Sequence, residues 1–518
     1  MWIYVLAGFG LFLAAVVLHD VVQRKHAILR NFPIVGHFRY WLEAVGPELR
    51  QYIVTDNDEE RPFSRDQRRW IYASSKRANN YFGFGTDNHL DDGRDYIIIK
   101  QSGLPLRTPH PGEDGYDEMH PLPAAKVLGG YRGRAKAFRP ASVVNISAMS
   151  FGSLSTNAIA AINAGVKIAG CMHNTGEGSI SPYHQRGGDL IWQIGTGYFG
   201  ARELDGTFSL PRVKEQIAAN PVRALELKLS QGAKPGMGGI LPAAKITPEI
   251  SRIRGVPLGR DCISPPYHTA FRDPDSLLDF VEEVATETGL PVGIKSAVGT
   301  MVFWRELARL MATTGRGVDF ITIDGGEGGT GAGPLAFTDH VALPFKVGFT
   351  RVYRTFAEQG LHEKVVFIGA GRLGFPAEGL FAMGLGCDMV NVAREAMMAI
   401  GCIQAQRCHT GHCPTGIATQ NRWLVRGLDP TLKAARLANY VATFRKELLE
   451  LSHACGEPHP ALLTSDNFEV LQGNFTSTPA HELFHYETNW GRPSAEDREE
   501  IRRIMENAEP RPAGLEVA

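Results

Sequence analysis

The sequence predicts an α/β fold, a barrel of eight parallel strands alternating with helices, and three observations predict it. Short apolar runs rich in β-branched residues recur from Val143 onward, each ending in small or polar residues and followed by a helical pattern or a long loop. There are eight of them: "VVNISAMS", "GCMHNT", "ALELKLS", "RDCIS", "PVGIKS", "DFITIDGG", "VVFIGAG" and "MVNVAR". Their ends carry Ser150, the Glu177 loop, Lys228, the loop from Ser264 to His268, Lys295, Asp324, Gly371 and Arg394. In a (β/α)8 (TIM) barrel the reactive face lies at those C-terminal strand ends. The helix after the first run can be capped by Ser155 or Thr156 and continues with apolar Ala158, Ile159, Ile162, Val166 and Ile168.

Before the barrel comes an apolar segment. Trp2 to Leu18 carries no charge over seventeen residues, which as a helix spans roughly 26 Å, enough for a thin bilayer. The bases Arg24, Lys25 and Arg30 follow the run instead of preceding it, unlike a secretory signal. The positive-inside rule then keeps the body cytoplasmic, on a single-pass anchor in the cell membrane over residues 1–21. A buried helix of the soluble fold is the competing reading. Residues 22–139, with the arginine-rich stretch "ERPFSRDQRRWIYASSKR", are expected to wrap the barrel of 140–420. A helical extension over 421–518 contains "DPTLKAARLANYVATFRKELLELSHACG" and the charged end "SAEDREEIRRIMENAEPRP".

Composition excludes some functions. With 54 basic and 55 acidic residues the net charge is −1, so no global field draws the chain to nucleic acid. The cysteines number seven, an odd and mostly scattered set, which makes a poor disulfide framework and suits a reducing compartment.

Two motifs bear chemistry. "IGAGRLG" contains G-x-G-x-x-G and superficially fits a dinucleotide turn, but the following strand ends in Arg394 where an acidic residue is wanted. As strands seven and eight of a barrel, the same stretches form a phosphate site from the backbone of Gly369 and Gly371 and the cation of Arg394, suited to flavin mononucleotide (FMN). Glycine-rich "DGGEGGTGAG" after strand six lets backbone approach the same ligand. "CIQAQRCHTGHC" holds Cys402, Cys408 and Cys413 within twelve positions. Clustered soft thiolates bind iron–sulfur or zinc. A zinc site completed by His412 is the competitor.

The stretches "SAMSFGSLS", "HNTGEGSISPY", "IWQIGTGYFG", "KLSQGAKPGMGGILP", "ISPPYH", "GIKSAVGT", "IDGGEGGTGAGP" and "CIQAQRCHTGHCPTGIATQ" resemble, in order, the FMN-binding synthase domain of the glutamate synthase large subunit. The resemblance covers roughly Pro140 to Ala454. It implies a barrel holding FMN and a [3Fe–4S] cluster on Cys402, Cys408 and Cys413, reducing 2-iminoglutarate, made from 2-oxoglutarate and ammonia, to L-glutamate. It also implies flavin contacts from Ala148, Met149, Ser150, Gln193, Lys228, Lys295, Gly369, Gly371, Ala393 and Arg394. Lys295 lies by flavin N1, where a fixed ammonium makes reduction easier. Lys234 and Arg254 are implied to hold substrate carboxylates, and Glu177 to relay a proton. The chain departs from the pattern at two positions: Ile240 stands where the family has glutamine, and Met237 where it has glutamate.

No cysteine follows Met1 and no second dinucleotide fold is evident. Ammonia is therefore expected from elsewhere, such as a separate glutaminase, and electrons from a partner, a ferredoxin or an NAD(P)H-dependent subunit. Two alternatives have different chemistry: an FMN oxidoreductase acting on another oxo acid, imine or N-substituted glutamate, and a non-catalytic electron-transfer module at the membrane.

Overall fold

The computed structural model describes residues 2–506 except 24, 55–58, 87, 89, 91 and 92. Arg24 and the last residues of the charged tail, 507–518, therefore lie outside the described residues. The chain divides into two compact units, Met1–Arg69 and Trp70–Ala518, with the division inside helix Arg65–Ser75.

The first unit opens with helix Trp2–Val22, long and apolar enough by length and composition to cross a bilayer. A signal sequence passes the same test. Near its end Asp20 accepts a hydrogen bond from Ile34 N at 3.0 Å and pairs with His37 Nε2 at 2.9 Å. These contacts fix the start of the next long helix, Val35–Leu49, against the first.

The second unit is built on a closed parallel barrel. Its strands are β1 (Val144–Ile146), β2 (Met172–Asn174), β3 (Asp189–Ile194), β4 (Val222–Lys228), β5 (Val292–Ser296), β6 (Phe320–Asp324), β7 (Val366–Ala370) and β8 (Met389–Val392). The strands are buried on both faces because helices cover the outside and side chains fill the inside. Met172, Ile191, Ala224, Phe320, Val366 and Met389, with Leu128 from the preceding segment, pack one cluster at the strand starts. Each large side chain fully buried there contributes roughly 1.5–3 kcal/mol. The apolar cluster leaves the opposite ends of the strands for polar groups.

The count of eight strands holds, but one member differs from the sequence reading. "RDCIS" is not a barrel strand: Cys262–Ile263 pairs antiparallel with Ile240–Leu241 in an excursion between β4 and β5. The third strand is instead Asp189–Ile194, paired in parallel with β2 and β4. The helix after β1 is Thr156–Ala169, and Ser155 caps it by accepting from Ala158 N at 3.2 Å. The helix expected in the C-terminal extension forms as Pro430–Ala454, capped by Asp429. It packs on Thr156–Ala169 so closely that a Cβ on Gly165 would stand 2.7 Å from Ala434 O.

Candidate active site

The C-terminal ends of the strands gather most of the expected residues, each delivered for a local reason. Glu177 sits in the loop after β2, where glycines leave it room: a Cβ on Gly239 would lie 2.3 Å from Glu177 Oε1. Lys228 closes β4, and its Nζ donates to Glu177 Oε1 at 2.6 Å and to Gln231 Oε1 at 2.5 Å. Arg254 ends the short helix Pro248–Arg254, whose first turn is capped by Thr247. Its Nη2 donates to Phe151 O at 2.8 Å and to Ser150 Oγ at 3.4 Å. A Cβ on Gly178 would stand 2.5 Å from that nitrogen, so only glycine admits the guanidinium.

Lys234, in the loop after β4, is 2% exposed, yet no described residue accepts a hydrogen bond from its Nζ. Burial and the like charge of Lys228 push it down to about 8, with Glu177 opposing. For Glu177 itself burial works upward, but Lys228, Arg254 and Lys234 together hold the carboxyl below its usual range. Three cations thus surround one carboxylate, and the excess positive charge suits an anion.

Lys295 on β5 is the register neighbour of both Lys228 and Thr322. It is buried, with Nζ 3.6 Å from Asp324 Oδ2. That carboxylate also accepts from Gly232 N at 2.9 Å. Ala148, Met149 and Ser150 follow β1, where Met149 N donates to Asn174 O at 3.1 Å and Ser150 Oγ meets Ser153 Oγ at 2.9 Å. Gln193 lies inside the barrel, its Nε2 donating to Glu226 Oε1 at 2.6 Å.

Sequence reasoning missed Glu226. Its carboxylate also accepts from Asn174 Nδ2 and from Thr322 Oγ1, each at 2.7 Å. The signal was present in "ALELKLS": a charged residue two before Lys228 in an apolar strand shares its inward face.

On the other side of the opening the loops after β6, β7 and β8 are tied together. Gly325 N donates to Ala370 O at 2.8 Å, and Arg394 Nη2 donates to Glu327 O. Gly371 adopts φ 131°, which side-chain-bearing residues rarely reach. A Cβ on Gly329 would lie 2.6 Å from Arg394 Cδ. Gly369 closes on β7, and Ala393 directly precedes helix Arg394–Ala399. Side-chain-free backbone and one half-buried cation make a cradle that fits a phosphomonoester.

Cys402, Cys408 and Cys413 share the loop between helices Arg394–Ala399 and Arg422–Val425. Burial alone would raise the Cys413 thiol, but backbone N–H groups of Ala418, Thr415 and Ile417 and the Thr415 hydroxyl hold it below its usual value. Those donors favour a thiolate, the form that ligates metal. Cys408 is raised by burial and by the neighbouring Cys413, with Lys245 opposing. Tyr72 OH donates to Cys402 O at 2.7 Å. Among the described residues no group of three or more His, Cys, Asp or Glu side chains is drawn close enough to hold a metal ion. The donor chemistry of the loop fits a sulfur-ligated cluster.

Residues 131–457 match the conserved region in glutamate synthase. The glutamate synthase large subunit-like protein YerD of Bacillus subtilis is 37% identical over 477 residues, 86% of this chain and 90% of that protein. The archaeal glutamate synthase [NADPH] of Methanocaldococcus jannaschii is 36% identical over 337 residues, 64% of this chain and 61% of that one. The archaeal-type glutamate synthase [NADPH] of Thermotoga maritima is 35% identical over 335 residues, 64% of this chain and 62% of its own length. This chain thus spans less than two thirds of the archaeal-type relatives and nearly all of the Bacillus protein. A match of such length, on a barrel whose open end is lined as described, means that the chain belongs to the glutamate synthase family of oxidoreductases.

Proposed function

We propose that this chain binds FMN in its barrel and reduces 2-iminoglutarate, formed from 2-oxoglutarate and ammonia, to L-glutamate. The observation that carries this reading is the buried set of Lys228, Lys234 and Arg254 around an ionised Glu177. Ala148, Met149, Ser150 and Gln193 would frame the flavin ring, Lys228 and Lys295 its N1 edge, and Gly369, Gly371, Ala393 and Arg394 its phosphate. Bound there, FMN supplies the hydride. Lys234 and Arg254 hold the carboxylates of the substrate, a buried ammonium without an internal partner and a guanidinium already oriented by backbone oxygen. Glu177, kept as a carboxylate by Lys228, favours the protonated imine, the better hydride acceptor, and is placed to relay a proton to the substrate nitrogen.

Cys402, Cys408 and Cys413 would hold a [3Fe–4S] cluster, a one-electron carrier, since three thiolates stand in the loop without a fourth. The bracketed NADPH in the names of the archaeal-type relatives favours an NAD(P)H-dependent donor protein over a ferredoxin. A separate glutaminase would supply ammonia. Residues 1–21 would anchor the chain in the cell membrane with the barrel, 140–420, in the cytoplasm. Residues 22–139 would wrap that barrel and 421–518 extend it.

Ile240 favours a second reading, the same reduction of an imino acid with an apolar group. It is half-buried on the strand that follows Gly239, the glycine against the Glu177 carboxylate. One experiment separates the readings: flavin released from the purified protein is identified, and products from a panel of 2-oxo acids with ammonium and a chemical reductant are resolved. FMN with L-glutamate supports the first. FMN with a different amino acid supports the second, and FMN with no amino acid leaves an electron-transfer module.

A further inference from the structure

We infer that Glu226 is a positioning residue that turns the Gln193 amide so that its carbonyl oxygen, not its NH2 group, meets the polar edge of the bound flavin. The inference rests on the FMN reading above. Glu226 is 0% exposed on β4, and its partners are all neutral: Asn174 on β2, Gln193 on β3 and Thr322 on β6. Burying a carboxylate among neutral groups is costly, and apolar side chains would close the same space more cheaply. The arrangement calls for a role beyond packing.

Hydrogen-bond chemistry supplies one. Glu226 Oε1 accepts from both amides and donates to neither, so the amide facing it presents nitrogen. With Nε2 held by Glu226, Gln193 Oε1 faces away. Among the described residues no donor reaches that oxygen, although Gln193 is 1% exposed. Asn174 is closed by contrast, its Oδ1 accepting from Gly176 N at 3.1 Å. Gln193 is therefore the amide of this network with an open acceptor. The polar edge of an isoalloxazine alternates two carbonyl oxygens with one N–H, at N3. A fixed carbonyl can pair only with N3–H, whereas a freely turning amide would pair with either kind of group.

The test compares FMN with an analogue methylated at N3, each titrated into flavin-free protein and followed by flavin fluorescence. The wild type should prefer FMN about tenfold, the worth of one buried hydrogen bond. Glu226→Gln, which lets the amide turn, should reduce that preference to about twofold or less. Gln193→Met should do the same alone, and adding Glu226→Gln to it should change nothing further. Full preference in Glu226→Gln overturns the inference. So does full preference in Gln193→Met, which decides the matter even where Glu226→Gln fails to fold. If the wild type binds FMN without discriminating, this inference falls and the flavin reading stands. If it binds neither flavin, the flavin reading is what falls.

Discussion

The open end of the barrel and the cysteine loop both gather groups that the sequence singles out, but the protein prepares them differently. At the barrel, residues distant in sequence hold one another: Lys228 on Glu177, Arg254 on the Phe151 carbonyl, Lys295 beside Asp324. In the loop Cys413 is prepared by donors from its own stretch of chain. The charge on Cys413 makes a thiolate at Cys408 harder to form, and among the described residues no group of three ligating side chains is drawn together. Ion pairs assemble as the barrel closes because opposite charges attract in a low-dielectric site. Thiolates repel, so a positive metal must supply the force that collects them. The barrel's chemistry is therefore legible in contacts, and the loop's in its donor set.

The sharpest way to break this contrast is at Cys413. Cys413→Ser should drop iron from about three atoms per chain and acid-labile sulfide from about four, both to near zero. Flavin content should stay unchanged, because the prepared thiolate belongs to the loop alone. Loss of both cofactors together would mean that the two regions are one cooperative site. On the barrel side, Arg254→Ala should lower kcat/KM for a diacid substrate by on the order of 100-fold, the effect of removing a buried charged hydrogen-bond donor. An unchanged kcat/KM would move the carboxylate clamp elsewhere.

A smaller effect is set by pH. Lys234 is protonated below about 8 and loses its charge above it. The kcat/KM for a carboxylate substrate should therefore fall by up to about tenfold per pH unit above that value, since this ratio reports the free enzyme. Lys234→Met should remove the inflection and lower kcat/KM on its acid side. If the inflection persists in the variant, another group titrates there. The smallest change expected is severalfold, from Ile240→Gln, and its sign is informative. Higher efficiency with 2-oxoglutarate and ammonium marks a glutamate-forming pocket, whereas lower efficiency with the best substrate marks one shaped for an apolar group.

Much of the fold was legible because parallel strands buried on both faces read as apolar runs ending at chemical groups. The same rule explains the one misplaced strand. "RDCIS" has the length and apolar centre of a barrel strand, yet it belongs to a hairpin-like pair in the excursion after β4. Asp189–Ile194 opens on a charged residue and sets Trp192 and Gln193 among its aliphatic residues, and its register with β2 and β4 comes only from barrel closure. In the site, Lys228 was visible as a cation at a strand end, whereas Lys234 and Arg254 came from the resemblance of their motifs. The pairing of Lys228 with Glu177 was not visible, because it joins a strand end to a loop 51 positions away. Glu226 escaped for the same reason: its three donors lie on three other strands, and one-dimensional spacing shows only the inward face it shares with Lys228.

The central claim is that the cation-lined barrel passes a hydride to a bound imino diacid. The most direct test is a single-turnover experiment on anaerobically purified full-length protein, photoreduced and then mixed with 2-oxoglutarate and ammonium. The account predicts that the flavin absorbance returns and that L-glutamate forms in proportion to the flavin reoxidised, while Arg254→Ala reoxidises far more slowly. Flavin that stays reduced with 2-oxoglutarate and with every other 2-oxo acid plus ammonium would contradict it.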